Sequence, residues 1–210
     1  MKNKLIKANY KHKITGRNIY LEPIRKIDIS LSYVNWLNDS KINEYLEVRH
    51  KKQNIDTVYN YINNLRKKSN CDLFGIYFKK SKQIIGTLGI SNFDKNNKRV
   101  EYGLLVGDAK ARNFGVGVLA TILFYEYIFS MYDIIKIHNP VVEENKSAWK
   151  LVESLGSLRE GTLRNHFISS SGQINNMFLY GLTKEDWIDS KKKIPQVNLD
   201  LKISEILNKD

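Results

Sequence analysis

No run of this 210-residue sequence reaches 18 consecutive apolar residues, so none of its helices is expected to cross a membrane. It has one cysteine, Cys71, which excludes an internal disulfide framework and suits a reducing cytoplasm; the residue itself reads as a small buried apolar group. The basic first 17 residues lack the apolar core and small-residue cleavage site of a signal peptide. Metal-ligand spacing is missing as well, so His12, His50, His138 and His166 read as surface or structural residues and no metal is expected. A Walker A loop, Gly-x-x-x-x-Gly-Lys-Ser/Thr, is absent. Acids are in short supply, 22 against 34 lysines and arginines, which leaves a net charge of +12.

The apolar content, 42%, with 11% aromatic residues, fits one domain with a full core. The positive charge comes from 26 lysines and only 8 arginines, alongside 22 asparagines and 24 isoleucines. That joint excess looks like an A/T-rich coding bias, which raises charge without selection for phosphate binding. Six positive charges lie in the first 17 residues with no acid among them. Residues 1–16 therefore read as a basic flexible arm, whose alternative is contact with RNA, anionic lipid or a nucleotide substrate. Nucleic acid is not the favoured partner. The domain proper is expected over 17–189. The tail, 190–210, holds an amphipathic piece at 199–207 with a helical pattern, and offers a surface on which a homodimer would form.

Hydrophobic periodicity predicts a mixed α/β fold. A strand at 17–24 stops at Pro23, and helical spacing follows from Asp28, through Leu31, Val34, Trp36 and Leu37. Shorter helices are expected from Asp39, with Ile42, Tyr45 and Leu46, and over 56–68. Trp36, Tyr45 and Tyr61 fall on the apolar faces of these helices and read mostly as core. Strands at 73–78, 83–91 and 99–106, with polar turns between them, read as an antiparallel meander. Residues 107–114 read as a loop, and Gly115 opens a helix to about Met131. A buried strand at 134–142, a helix from Asn145 to about Gly156, and strands at 159–168 and 173–182 complete the order.

The most informative stretch is Val106 to Ala120, VGDAKARNFGVGVLA. A helix N-terminus carries unpaired N–H groups and partial positive charge, which suits a pyrophosphate. Gly115 and Gly117 remove Cβ atoms that would keep phosphate oxygens away, and Arg112 adds a charge-assisted contact. Gly115-x-Gly117-x-x-Ala120 also matches the dinucleotide fingerprint. That fingerprint follows its strand immediately, within parallel units, and needs a ribose-binding acid about 20 residues on. Here eight residues intervene after an antiparallel meander, and Asp133 is too near. A loop with a packing role alone is the other alternative.

Arg112-x-x-Gly115-x-Gly117 resembles the acyl-CoA signature of the GNAT acetyltransferases, Gln/Arg-x-x-Gly-x-Gly/Ala. Val106-Gly107-Asp108 before it resembles the RimJ/RimL-like branch. So do Asn145 with Leu151, Leu155 and Gly156, the run Arg159 to Arg164, and Trp36 to Asp39 with Ile42-Asn43. The resemblance covers about residues 18–187. It implies a central mixed, mostly antiparallel sheet of about seven strands, flanked by helices, whose fourth and fifth strands splay apart. It implies acetyl-CoA as cosubstrate and a cytoplasmic enzyme. The pantetheine arm would bond to the backbone of Leu104, Leu105 and Val106 on the fourth strand, much as an added strand would. Arg112, Asn113, Phe114, Gly115, Val116 and Gly117 would hold the pyrophosphate, and Asn145 would sit near the pantetheine. A plain helix N-cap is the other reading of Asn145.

Acetylation needs an uncharged amine, so a general base helps, directly or through water. Glu101 is the candidate, on the fourth strand where relatives place a carboxylate; its alternative is a cross-strand ion pair. Val100 and Tyr102 should face the other side of the sheet. The sequence departs from the family where a tyrosine acid is usual, at Val152, and where RimL-like members have serine, at Ala148 beside Ser147. The usual Gly-Phe is Gly156-Ser157. These departures leave the general acid unnamed.

The acceptor side is read from Trp36, Glu47, Arg49 and His50, a polar stretch suited to a sugar hydroxyl or phosphate or else a connecting loop. The run WLNDSKINEYLEVRH resembles acetyltransferases encoded with surface-polysaccharide enzymes, which favours a nucleotide-linked amino sugar as the small-molecule amine. Acetylation of a ribosomal protein N-terminus and a non-catalytic acyl-CoA-binding module are the alternatives.

Overall fold

The structure, a computed structural model, describes residues 12–194 and 202–205. Among the described residues the sheet has nine strands. In chain order they are β1 (His12–Thr15), β2 (Ile19–Pro23), β3 (Asp72–Phe78), β4 (Ile84–Asp94), β5 (Arg99–Val106), β6 (Lys136–Val142), β7 (Leu158–Ile168), β8 (Ile174–Thr183) and β9 (Lys202–Glu205). Across the sheet the order is β7-β8-β6-β5-β4-β3-β2-β1-β9. Every pairing is antiparallel except β5 with β6. The meander read from the sequence is β3–β4–β5, in the register Gly75↔Thr87 and Thr87↔Leu105.

The helices are α1 (Leu31–Asn38), α2 (Ser40–Asn43), α3 (Ile55–Lys67), α4 (Ala109–Asn113), α5 (Val116–Met131), α6 (Lys146–Ser154) and α7 (Lys184–Lys191). Ten of the 16 residues of α5 are buried, and its apolar residues run all round the axis, so it is a core helix against one face of the sheet. Strand β5 splits its side chains by alternation. Val100, Tyr102, Leu104 and Val106 pack with the α5 cluster, while Leu105 joins the smaller core beneath α1 and α3.

Five expectations are corrected. The arm expected over 1–16 includes a strand: Ile14 is fully buried opposite Leu21, and β1 pairs with β2 on one side and β9 on the other. The rest of that arm, 1–11, lies outside the described residues. In the tail, Lys202–Glu205 is extended where a helix was expected, because β1 offers an open edge to pair with; the rest of 199–207 lies outside the described residues. The loop 107–114 contains α4, whose N-cap Asp108 accepts from Ala111 N–H at 2.8 Å. Tyr61 is 52% exposed, so its helical spacing marks a surface position. Cys71 is only half-buried, because it sits in the turn that leads into β3.

Asp72 opens β3 almost fully buried, with Oδ1 accepting from Leu73 N–H at 2.8 Å. Burial pushes its pKa up to about 7, against the opposing pull of that N–H and Arg66. The folded form therefore holds a proton that the unfolded chain releases near the ordinary value of about 3.9. Stability contributed by this group is present below pH 4 and falls as pH rises towards 7. Asp72→Asn keeps an acceptor for Leu73 without the charge. In thermal melts the wild type should lose melting temperature between pH 4 and 7, and the Asp72→Asn variant should lose less; parallel profiles would contradict this.

Candidate active site

Strands β5 and β6 pair at only two positions, Arg99↔Lys136 and Val100↔Ile137, and then part. The cause is legible in the backbone. Lys136 N–H donates to Lys98 C=O at 3.3 Å, so alternation turns the nitrogens of residues 138, 140 and 142 towards β5. Residue 140 is proline and has no N–H to give. One step earlier, Tyr102 N–H meets the side-chain Oδ1 of Asn139, at 3.4 Å, in place of a β6 carbonyl. The same alternation points the N–H groups of Leu104 and Val106 into the opening.

The opening is a cavity of about 500 Å³. Leu104, Leu105, Val106, Arg112, Gly117 and Asn145 all line it, so the structure brings these expected cofactor residues together. Helix α5 points its N-terminus at this space. Its N-cap, Gly115, is left-handed (φ 66°) and offers no side-chain acceptor, and the first helical bond is Leu119 N–H to Gly115 C=O at 3.1 Å. The N–H groups of Val116, Gly117 and Val118 are therefore the ones a helix leaves for an anion. A Cβ on Gly117 would sit 3.4 Å from Leu104 and Leu151, so alanine just fits and anything larger fills the cavity. Val116 is buried, Phe114 is 75% exposed, and Asn113 ends α4. Asn145 caps α6, accepting from Ala148 N–H at 3.3 Å and from the Ser147 hydroxyl at 3.0 Å, so its N-cap reading holds, and it also lines the cavity.

The opposite wall comes from Lys41, Ile42, Tyr45 and Leu46. Tyr45, expected in the core, lines the cavity instead. Trp36 does not reach it; its indole packs over Gly107, where any Cβ would collide with the ring. Glu47 and His50 are also away from the cavity, on a 3₁₀ turn. Arg49 serves the architecture. Its side chain is 4% exposed, donates to Leu46 C=O at 2.8 Å and to Ile168 C=O at 2.7 Å, and lies 4.0 Å from the centre of the Phe167 ring. It fastens this wall to the end of β7.

Glu101 borders a second, polar cavity of about 560 Å³. Its Oε2 accepts from Asn92 Nδ2 at 2.9 Å, and its Oε1 lies 3.5 Å from His138 Nδ1 across the parallel pair. The cross-strand pairing read from sequence is thus present, with histidine as the partner. Asn92 is left-handed (φ 50°), a conformation asparagine tolerates better than most residues, at a bulge of β4. Gly103 follows Glu101 on the same face, lines the first cavity, and has open space where a Cβ would go. The two cavities therefore adjoin along β5. Tyr102 points the other way, as expected: its hydroxyl lies 3.1 Å from that of Tyr125, and burial pushes its pKa up to about 12. Val152 and Ala148 line the first cavity without a proton to offer. His138, Asn139 and Pro140 are the site residues that sequence reading missed. Only Pro140, in an otherwise apolar strand, carried a local signal.

Among the described residues no group of three or more His, Cys, Asp or Glu side chains could hold a metal ion, and no helix is long and apolar enough to cross a membrane. The family described as acetyltransferase (GNAT) domain matches residues 18–157. An uncharacterized N-acetyltransferase p20 of Bacillus licheniformis is 26% identical over 183 residues, 85% of this chain and 97% of that protein. Among solved structures, a spermidine N-acetyltransferase from Vibrio cholerae in complex with CoA and spermine is similar in fold. It has a TM-score of 0.72 at 18% identity, covering 81% of this chain and 98% of that one. A GNAT-family acetyltransferase from Bacillus anthracis has a TM-score of 0.71 at 16% identity, covering 82% and 99%. With a parted parallel strand pair, an uncapped helix N-terminus beside it and a family match over two thirds of its length, the chain belongs to the GNAT acetyltransferases.

Proposed function

We propose that this protein transfers the acetyl group of acetyl-CoA to a primary amine, and that the amine is carried on a nucleotide-linked sugar. The observation that carries the first half is the convergence on one cavity of the β5 backbone edge, the α5 N-terminus and Arg112. Pantetheine pairs with the edge, the pyrophosphate takes the helix N–H groups and Arg112, and the thioester comes to rest near Gly103, where the strands meet. The acceptor enters from the polar cavity, where the Glu101–His138 pair draws in the amine and receives its proton.

The lining of that cavity supports the second half. Three carboxamides, Asn70, Asn92 and Asn96, suit hydroxyl groups, and Lys95 and Arg99 suit a diphosphate. Asp94 and Glu101 share that lining, and Asp94 lies 3.4 Å from Arg99, so the bias against a polycation such as the spermine of the Vibrio cholerae complex comes from the net charge of +12.

Release of coenzyme thiol should be followed with a nucleotide-linked amino sugar, the same sugar without its nucleotide, spermine, and a peptide with a free N-terminus. The nucleotide-linked sugar is expected to have the highest kcat/KM, by at least about tenfold, the worth of one charge-assisted contact. Preference for spermine or the peptide overturns the acceptor, the peptide in favour of a RimJ/RimL-like role. Tight CoA binding without thiol release for any amine overturns transfer itself.

A further inference from the structure

We propose that His138 is the group that takes the proton from the acceptor nitrogen, with Glu101 as the residue that positions its imidazole. This rests on the transfer reading above and names the base within it.

The geometry begins with the register. Arg99↔Lys136 and Val100↔Ile137 place Glu101 beside His138 on one face of the sheet, and two residues further on the same face are Gly103 and Pro140, in the wall of the first cavity. The Glu101–His138 pair therefore stands where the polar cavity meets the donor cavity. Asn92 occupies Oε2 of Glu101, which leaves Oε1 turned to His138 Nδ1 at 3.5 Å. A carboxylate at Nδ1 favours the tautomer with its proton there, so the Nε2 lone pair is the one left to act as base. Such contacts are commonly long in an empty site and tighten when substrate binds.

Chemically, the neutral amine forms its C–N bond to the thioester carbonyl carbon while the C–S bond breaks. The surplus proton on nitrogen passes to Nε2 of His138, and the imidazolium so formed is held beside the Glu101 carboxylate. It returns that proton to the coenzyme thiolate, which accounts for an acid where Val152 and Ala148 supply none. No further reactant is needed.

The surroundings keep the ring uncharged at rest. Burial lowers the pKa of His138 from its ordinary value; Glu101 opposes this, Arg99 and Lys136 add to it, and Glu160 of β7 opposes it weakly. Lys136 is itself paired with Glu160 at 2.6 Å. The β8 neighbour of His138 is Gly181, which carries no charge, and Asp94 at the end of β4 and Lys95 after it line the same cavity.

His138→Gln and Glu101→Gln separate the two roles. With an amine that the wild type accepts, kcat is measured from pH 5 to 9 beside the Kd for acetyl-CoA and the melting temperature. His138→Gln should lower kcat about 100-fold, as loss of a general base does, and erase the acid-side inflection below about pH 6.5, with Kd within about twofold. Glu101→Gln should cost about tenfold and keep the inflection, moved to lower pH, because the charge that raises the histidine is gone. A His138→Gln variant with wild-type kcat and inflection overturns the proposal while leaving transfer intact. A wild type that releases thiol with no amine overturns both.

Discussion

Gly86→Ala should lower the melting temperature by roughly 6–12 °C, equivalent to about 3 kcal/mol for a domain of this size. Gly86 lies in β4 opposite Val106, and a Cβ there would fall on the carbonyl oxygen of Leu105 and 3.1 Å from Val106 Cα. Both obstacles are backbone, so no rotamer change relieves them. The strands must move apart, and the part of β5 that moves is the edge on which acetyl-CoA is proposed to lie. Loss of stability should therefore come with weaker acetyl-CoA binding. Gly103→Ala is the matched contrast. Nothing lies within 4 Å of a Cβ at that position, so the melting temperature should hold. Its methyl group would project where the two cavities adjoin, so turnover should fall. Calorimetry and steady-state kinetics on both variants decide this; a Gly86→Ala protein with wild-type melting and binding would remove the close strand contact as a determinant of the site.

The contrast between these glycines also shows what the sequence could reveal. The meander, the helix after Gly115 and the strand before Asn145 were legible because each has its own period and its own end signals. Strand β1 was not, since His12-Lys13-Ile14-Thr15 gains its conformation from partners on both sides, and with β9 it extends the sheet beyond the seven or so strands that the resemblance implied. Helix α7 could have been found: Thr183 and Asp186 form a capping box, and Trp187 is buried with its Nε1 donating to Glu126 at 2.7 Å. At the cavity, Arg112 and Gly117 were legible because a contiguous motif carries them, and Leu104 to Val106 because the resemblance marks that strand. His138 read as surface or structural because its pairing with Glu101 depends on a parallel register between two strands separated by the whole of α4 and α5, which no local pattern encodes. Arg49 failed in the opposite sense. A polar residue in a connecting turn looks available for substrate, yet here its donors are taken by main-chain carbonyls.

The second large effect concerns the charge at the mouth of the donor cavity. Arg112→Glu should raise the Kd for acetyl-CoA about 100-fold at low salt, and Arg112→Ala about tenfold. A charge-assisted hydrogen bond is worth about 1.5–3 kcal/mol, and exposure of Arg112 keeps its loss towards the lower figure. Inversion adds repulsion between the new carboxylate and the pyrophosphate, about 1 kcal/mol or more across a few ångströms of partly wet space. At about 1.4 kcal/mol per factor of ten these sum to the stated changes. The repulsive part should shrink in about 0.5 M salt, where screening acts within about 4 Å. What distinguishes pyrophosphate recognition from general damage is the response to S-acetylpantetheine, a thioester that ends before the pyrophosphate. Its KM should be the same for wild type and Arg112→Glu, because the β5 edge and Asn145 are untouched. Equal losses for both thioesters would mean that Arg112 shapes the cavity and does not read the phosphates. In that event the N-terminus of α5, with the N–H groups of Val116, Gly117 and Val118, would be left as the anion site, and a substitution larger than alanine at Gly117 should then cost acetyl-CoA more than it costs the short thioester.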